Sequence, residues 1–161
     1  MNSDQISSID LSTTPGSNPQ GVRSIVVVGA GGHGRELADI VRQISQTDRT
    51  ISLLGIVDDG NPDRLALARG SFRFLGSSGS LDGRDVDVYL GVGSPALRLE
   101  IDQRVAQTGP ALRHPSALVG TGVVLDSGAV LAQGVVLTTN IHVGRHAHIN
   151  VGATILSLIH I

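Results

Sequence analysis

The chain has 161 residues, of which 12 are Lys or Arg and 14 are Asp or Glu, and it contains no cysteine and only 2% aromatic residues. The slightly negative charge and the shortage of stacking side chains argue against nucleic-acid binding, and the missing cysteines exclude disulfides and thiolate metal sites. The sequence shows no apolar run of membrane-spanning length and no signal-peptide pattern, so we expect a cytoplasmic protein without a membrane span.

Residues 1–22, "MNSDQISSIDLSTTPGSNPQGV", are rich in Ser, Thr, Asn, Gln, Pro and Gly and show no sustained hydrophobic period. This composition predicts a disordered tail. From Ser24 the pattern changes to "SIVVVGA", a continuous β-branched run that predicts a strand buried on both faces.

A helix is predicted after this strand, over Arg35 to Ser45, because the apolar residues there recur at helical spacing. Two more strands are predicted, "ISLLGIVDD" at 51–59 and "VDVYLGVG" at 86–93. The stretch 60–84 gives no clear signal. The apolar residues that define the buried face of the predicted helix are Leu37, Ile40, Val41 and Ile44.

A further helix begins after the third strand, where Ser94 can cap it and Pro95 suits its first position. Leu97, Ile101 and Val105 are predicted to form its buried face. The order strand, helix, strand, strand, helix predicts a small, mainly parallel α/β domain with right-handed crossovers.

A six-residue rhythm begins at Val119, where seven successive units start with Val, Leu or Ile and four of the first six carry Gly in position four. This pattern is typical of a parallel β-helix. Three units close one coil, so Val119, Leu137 and Ile155 should stack one strand spacing apart. The alternative is a set of ordinary short strands joined by glycine turns.

The segment 29–34, "GAGGHG", satisfies the dinucleotide fingerprint G-x-G-x-x-G. Glycines let a backbone approach a diphosphate, and Asp58 or Asp59 after the second strand could hold a ribose. His33 is unusual inside such a turn, and the sheet looks short for two nucleotide-binding halves. The glycines could also serve only a tight strand-to-helix turn, so the motif alone leaves both interpretations open.

Taken together, "GAGGHGRE", "GIVDDG", "GVGSPALR" and "RHPSALVGTGVVL" with the hexapeptides resemble bacterial hexapeptide-repeat sugar acetyltransferases. These are the sialic acid O-acetyltransferase-like enzymes and the UDP-amino-sugar N-acetyltransferases. The resemblance implies a Rossmann-like nucleotide-sugar-binding domain at 23–113 and a left-handed β-helix at 114–155. It also implies acetyl-CoA as co-substrate and a homotrimer. Substrate-binding residues implied by the resemblance are Gly31, Gly32, His33, Asp58, Asp59 and Gly93.

The same resemblance places the catalytic histidine at Ser157 and its acid partner at Leu158. The chain instead ends "LSLIHI". We therefore expect residues 156–161 to be foreign to the family pattern and this copy to be incomplete, with no catalytic base and little activity.

Several histidines in "HVGRHAH" raise the question of a metal site. In a hexapeptide coil His142 and His148 fall on different sides and His146 at a corner, and only His160 stacks on His142. No metal site is therefore expected. His114, which precedes Pro115, is interpreted as part of the connection into the coil.

The sequence thus predicts an acetyl-CoA-dependent acetyltransferase acting on a nucleotide-activated amino sugar or sialic acid. Two alternatives remain at this point: a fragment of an NAD-dependent oxidoreductase, and a non-catalytic sugar-nucleotide-binding module.

Overall fold

The structure is a computed structural model that describes residues 21–105 and 107–157. The predicted polar tail, except its last two residues, lies outside this part, as do the last four residues of the predicted foreign segment. The described chain begins with an α/β unit and continues into a coil of very short parallel strands.

The α/β unit is built on a three-stranded parallel sheet with β1 in the centre. Strand β1 spans Arg23–Val28, β2 spans Ile51–Val57 and β3 spans Asp87–Leu90. All three strands were predicted, although β2 ends at Val57 and β3 is confined to four residues. The apolar β1 run is buried as expected for a central strand.

Helix α1 spans Gly32–Thr47 and packs on this sheet. The four apolar residues at helical spacing are buried, which confirms the predicted core face. This packing leaves the N-terminal end of α1 directly after the carboxyl end of β1. The residues of that confirmed face are Leu37, Ile40, Val41 and Ile44.

The stretch between β2 and β3 contains helix α2, Arg64–Arg69, and a 3₁₀ turn, Ser78–Leu81. Asp63 caps α2 through its side chain, and Phe74 forms an isolated bridge with Ile56 beside β2. These elements could not be predicted because they are too short to establish a hydrophobic period.

Helix α3 spans Pro95–Asp102, and Ser94 caps it by accepting a hydrogen bond from the Leu97 amide, as predicted. The predicted buried face is wrong at Leu97, which is 43% exposed. Ile101 and Val105 are only partly buried against the sheet. The reason is that only the C-terminal end of α3 reaches the core, and Val105 lies beyond that end.

The C-terminal end of α3 is held to the coil by a charged cluster. Arg145 donates to both carboxylate oxygens of Asp102, at 2.6 and 2.9 Å, and His146 lies 2.8 Å from the same carboxylate. These hydrogen bonds hold the pKa of Asp102 at about 2, the Arg145 bonds contributing most. Bidentate pairs of this kind fix orientation as well as adding stability.

The coil consists of two-residue strands stacked in three parallel faces. Val119 pairs with Leu137, and Leu137 pairs with Ile155, so the predicted 18-residue register is confirmed. The arrangement is a parallel β-helix rather than ordinary connected strands, and its left-handed sense stays a prediction. The strands are β4 Leu112–Arg113, β5 Leu118–Val119, β6 Val124–Leu125, β7 Val130–Leu131, β8 Val136–Leu137, β9 His142–Val143, β10 His148–Ile149 and β11 Thr154–Ile155.

Position four of the first six hexapeptides is a coil corner with left-handed backbone. Gly occupies most of these corners because it adopts positive φ without a Cβ clash. Asn140 and His146 take the same conformation, with φ of 54° and 56°. The corner geometry explains why glycine recurs at this position.

Within residues 21–105 and 107–157, the structure contains no helix long and apolar enough to cross a membrane.

Candidate functional site

Two glycines of the strand-to-helix turn, and one directly after β3, are required by close packing. A Cβ on Gly34 would lie 1.7 Å from the carbonyl oxygen of Gly29, and a Cβ on Gly91 would lie 2.4 Å from the Gly34 Cα. Gly29 also has a φ of +105°, which disfavours a side chain. These positions bring β1, α1 and the end of β3 into backbone contact.

Three neighbouring glycines have no such structural reason. A Cβ on Gly31, Gly32 or Gly93 would meet no other atom within 4 Å, and none of the three has positive φ. The need for a tight turn therefore does not explain them. They leave open space beside the first turn of α1, where backbone N–H groups lack intrahelical acceptors and favour anions.

Asp58, the first residue after β2, braces the glycine turn. Its Oδ2 accepts a hydrogen bond from the Ala30 amide at 2.6 Å, and its Oδ1 accepts one from the Gly60 amide at 2.8 Å. Asp59 accepts from the amide and the hydroxyl of Ser78, both at 2.7 Å, and these bonds lower its pKa. Both carboxylates hold loops in place, and their contact with a nucleoside stays a prediction.

A cleft of about 640 Å³ lies between α1, the loop after β3 and the coil. This volume is within the range of small-molecule sites. Of the predicted binding residues, His33 and Gly93 line the cleft, Gly31 and Gly32 directly precede His33, and the two aspartates lie outside its lining. Polar groups that line the cleft are His33, Glu36, Asp39, Arg98, Gln133, His148 and Asn150.

Two histidines meet across this cleft, one from α1 and one from the coil. His33 Nε2 lies 2.5 Å from His148 Nδ1, with the ring centroids 4.7 Å apart. On the other side of His33, a carboxylate oxygen of Glu36 lies 3.8 Å from Nδ1. Burial lowers the pKa of His148 to about 3, with smaller contributions from His33 and Arg98, so its imidazole is neutral at physiological pH.

Sequence reasoning missed Arg98 and His148 as members of this site. His148 was considered only as a possible metal ligand, and Arg98 only as a residue of a helix. Their proximity depends on how the coil docks against α1 and α3, and residues 50 positions apart carry no local pattern that reports it. The hexapeptide register does place His148 on a coil side, and this part was predictable.

The remaining histidines of the coil form separate pairs. His142 and His148 lie on different faces, as predicted, and His142 Nε2 is 2.9 Å from an Asp126 carboxylate oxygen. His146 is buried at a corner beside Asp102. In the part of the chain that the structure describes, no three His, Asp or Glu side chains are grouped for metal binding. His160 lies outside that part.

His114 contributes to the junction between α1 and the coil. Its Nε2 lies 2.8 Å from the side-chain oxygen of Gln43 on α1, and its Nδ1 contacts Ser116 at 2.7 Å. Burial lowers the pKa of His114, which favours the neutral ring. The residue is a junction contact, in line with its interpretation as part of the connection.

Ser157 follows β11 and is exposed, and Leu158 lies outside the described residues. The structure thus positions the backbone at which the resemblance requires a histidine, and the side chain there is a hydroxyl.

The profile of the family described as "PglD N-terminal domain" matches residues 24–105, which is half of the chain. This range contains the glycine turn, both aspartates, Gly93 and Arg98. No curated protein sequence matches the chain.

Solved structures similar to the chain include bacterial acetyltransferases. The acetyltransferase domain of PglB from Neisseria gonorrhoeae aligns over 86% of this chain and 68% of its own, with a TM-score of 0.66 and 22% identity. The same domain in complex with acetyl coenzyme A aligns over 85% and 66%, with a TM-score of 0.68 and 22% identity. A histidine-to-asparagine mutant of perosamine N-acetyltransferase from Caulobacter crescentus, in complex with CoA and GDP-perosamine, aligns over 82% and 62%, with a TM-score of 0.68 and 23% identity.

These structural similarities establish a shared fold in which an α/β unit precedes a parallel β-helix. The chain spans about two thirds of the length of these structures.

Proposed function

We propose, from the premise that the chain belongs to the PglD N-terminal domain family, that residues 23–113 form a domain that binds a nucleotide sugar. The observation that carries this proposal is the open space at Gly31, Gly32 and Gly93, which neither backbone conformation nor packing requires. His33 extends this surface into the cleft. Asp58 and Asp59 are proposed to contact the nucleoside, because their remaining lone pairs can accept base or ribose hydrogens.

The whole protein is proposed to be an acetyl-CoA-dependent acetyltransferase of the cytoplasm, acting on a nucleotide-activated amino sugar or on sialic acid. The bound acetyl-CoA and GDP-perosamine of the structural relatives support this choice. The β-helix at 114–155 would contribute to an acetyl-CoA site and to a homotrimer. The resemblance implies that a histidine deprotonates the acceptor, while N–H groups stabilise the oxyanion that forms at the thioester carbonyl.

The binding half of the proposal is tested by calorimetry on the 161-residue chain with a UDP-amino sugar, GDP-perosamine, free sialic acid and NAD. We expect a nucleotide sugar to bind more tightly than NAD. Gly32→Ala and Gly93→Ala should weaken this binding because each methyl group enters the open space. Tighter binding of NAD than of every sugar nucleotide would favour the oxidoreductase alternative instead.

Gly79→Ala is the matched control for these variants. Gly79 lies in the 3₁₀ turn, where an added Cβ meets only the Ser77 hydroxyl, at 3.9 Å. It should leave the affinity unchanged. An equal loss of affinity in all three variants would show that the effect is not located at the turn.

The transfer half is tested with a chimera that joins residues 1–155 to the continuation of the PglB acetyltransferase domain. Release of free CoA thiol should require both acetyl-CoA and the nucleotide sugar. The same chimera with serine in place of its first histidine should turn over about 10²–10⁴-fold more slowly, since a general base contributes that much. Undiminished turnover would show that the base lies elsewhere, and turnover by neither chimera on any amino sugar or sialic acid would contradict the proposed reaction.

A further inference from the structure

Positive charge is concentrated beside β2, on α2 and on the segment that follows it. Residues 64–81 contain three arginines and no aspartate or glutamate, although the whole chain has a formal net charge of −2. Arg42 of α1 adds a fourth arginine, because its guanidinium donates to the carbonyl oxygens of Gly70 and Ser71 at 2.7 and 2.5 Å. This part of the surface is therefore opposite in sign to the chain as a whole.

Two of these arginines stack on aromatic rings. The Arg42 guanidinium carbon lies 4.1 Å from the centroid of the Phe72 ring, and that of Arg64 lies 3.7 Å from the centroid of the Phe74 ring. The two phenylalanines are two residues apart beside β2, and both pack against the same hydrophobic core. Stacking holds the two guanidinium groups in place, which lowers the entropy that binding of a partner would cost.

The outer face of α2 combines a further cation with an exposed apolar side chain. Leu67 is buried and turns the opposite side of this short helix to solvent. Leu65 and Arg69 lie on that opposite side, four residues and therefore one helical turn apart. Leu65 is 70% exposed. The arginine–leucine surface, as we call it, consists of Arg42, Arg64, Leu65 and Arg69.

The charges of this surface are not neutralised within residues 21–105 and 107–157. In that part of the chain, the arginines that pair with a carboxylate are Arg23, Arg104 and Arg145. The carboxylate next to the surface in sequence, that of Asp63, accepts the amide hydrogen of Ala66 as the cap of α2. The guanidinium groups are thus available to an anionic partner.

An anionic bilayer fits this combination of groups better than other anions do. The phosphate and carboxylate groups of acidic lipids accept hydrogen bonds from guanidinium, and the acyl region beneath them takes up an apolar side chain. A free phosphate would gain nothing from an exposed leucine. Single-stranded nucleic acid would need aromatic faces for stacking, and the rings of Phe72 and Phe74 already stack with arginine.

We propose that the arginine–leucine surface binds the headgroups of an anionic lipid bilayer, so that the protein associates peripherally with membranes. Arg64 and Arg69 contact lipid phosphate or carboxylate oxygens, and Leu65 enters the boundary between headgroups and acyl chains. None of the four residues of this surface lines the cleft. The inference is therefore independent of the proposed nucleotide-sugar site, and a bilayer would leave that cleft open.

The test is cosedimentation of the 161-residue chain with vesicles of phosphatidylcholine alone and of phosphatidylcholine mixed with phosphatidylserine. We expect binding only where phosphatidylserine is present, and loss of binding towards about 1 M salt, where the screening length falls to about 3 Å. The double variant Arg64→Gln, Arg69→Gln should lower the partition coefficient about 25-fold, because each arginine near an anionic surface contributes about 5-fold. Leu65→Ser should lower it about 5-fold, since less apolar surface is buried.

The double variant Arg49→Gln, Arg84→Gln is the matched control. It removes the same two charges from exposed residues outside the arginine–leucine surface. It should bind nearly as tightly as the unmodified chain. Circular dichroism of each variant shows whether the fold is retained.

The outcomes separate a bilayer from other partners. Losses confined to the Arg64, Arg69 and Leu65 variants support the inference. Equal losses in the two double variants would show that only net charge matters and would overturn it, as would binding to phosphatidylcholine alone or to neither vesicle. A loss in Arg64→Gln, Arg69→Gln with unchanged binding of Leu65→Ser would indicate a general anion surface, suited to an acidic protein segment, and would overturn the assignment to a bilayer.

Discussion

The glycines of the strand-to-helix turn and the glycines of the coil differ in what a side chain in their place would meet. Gly34 touches the backbone of Gly29, so packing excludes even a methyl group. Gly152 at a coil corner has open space around it, and only its φ of +69° disfavours a side chain. Gly32 has neither constraint. A glycine thus indicates a ligand only after close packing and left-handed backbone have both been excluded.

The largest loss of stability among these glycine substitutions is expected for Gly34→Ala. The added Cβ would fall 1.7 Å from the Gly29 carbonyl oxygen, and rigid backbone on both sides leaves it no room to move. We expect a loss of about 3 kcal/mol or more in the free energy of unfolding, at the upper end for overpacking. Urea denaturation measures it.

Gly32→Ala is the matched control for that variant, two residues earlier in the same helix. It meets no atom within 4 Å and replaces glycine at a helical position, where alanine is preferred. Its stability should stay the same or rise by up to about 1 kcal/mol. A comparable loss in both variants would show that the two classes of glycine are not distinct.

A second pair of substitutions separates backbone strain from packing within the coil. Gly152→Ala introduces a side chain at positive φ in open space and should cost about 1–2 kcal/mol. Gly128→Ala has the same φ of about +70°, and its Cβ would also lie 2.3 Å from the Nδ1 of His146. It should cost about 1–3 kcal/mol more. Equal melting temperatures of the two variants would show that the His146 ring moves aside freely.

The regular parts of the molecule were predictable because their periods are local. The buried face of α1 and the stacking of Val119 on Leu137 follow from which residues recur at helical and hexapeptide spacing. Leu97 was assigned wrongly because α3 is held at its C-terminal end by Asp102, through contacts with the coil that no helical period encodes. Position along the helix, rather than face, decides which residues of α3 reach the core.

The candidate site was predictable only in part, for the same physical reason. The resemblance to the acetyltransferase family rests on local motifs, so it could imply His33 and Gly93 before the cleft was known. Arg98 and His148 enter the site through docking of two units, which depends on the summed packing of both. The hydrogen bond from Ala30 to Asp58 was also not foreseen, since it requires the relative position of two strand ends.

His148, which lies where the coil meets the glycine turn, should make the free energy of unfolding depend on pH. Burial lowers the pKa of His148 from 6.5 to about 3, so below pH 6.5 the unfolded chain binds a proton that the folded chain does not. Stability should therefore fall as the pH drops from 6.5 towards 3, with a slope of up to about 1.4 kcal/mol per pH unit from this group. Urea denaturation between pH 7 and 4.5 measures the slope.

His148→Val should reduce that slope because it removes the imidazole that titrates. Valine is chosen because Val130 occupies the paired position on the neighbouring strand. The lowered pKa of His114 acts in the same direction and should leave a residual dependence. Asp102 acts in a different window, since its pKa of about 2 supports stability that is lost only as the pH falls from 3.8 towards 2. An unchanged slope in His148→Val above pH 4.5 would contradict the assignment.

The smallest expected effect concerns the caps of the two short helices beside the site. Ser94 accepts from the Leu97 amide at 3.4 Å, whereas Asp63 accepts from the Ala66 amide at 3.0 Å. Because the α3 bond is long and α3 buries no side chain fully, Ser94→Ala should cost about 0.5 kcal/mol, the lower end for an N-cap, and Asp63→Ala about 1 kcal/mol. Urea denaturation of the two variants measures both costs, and a larger loss of stability in Ser94→Ala than in Asp63→Ala would contradict this ranking.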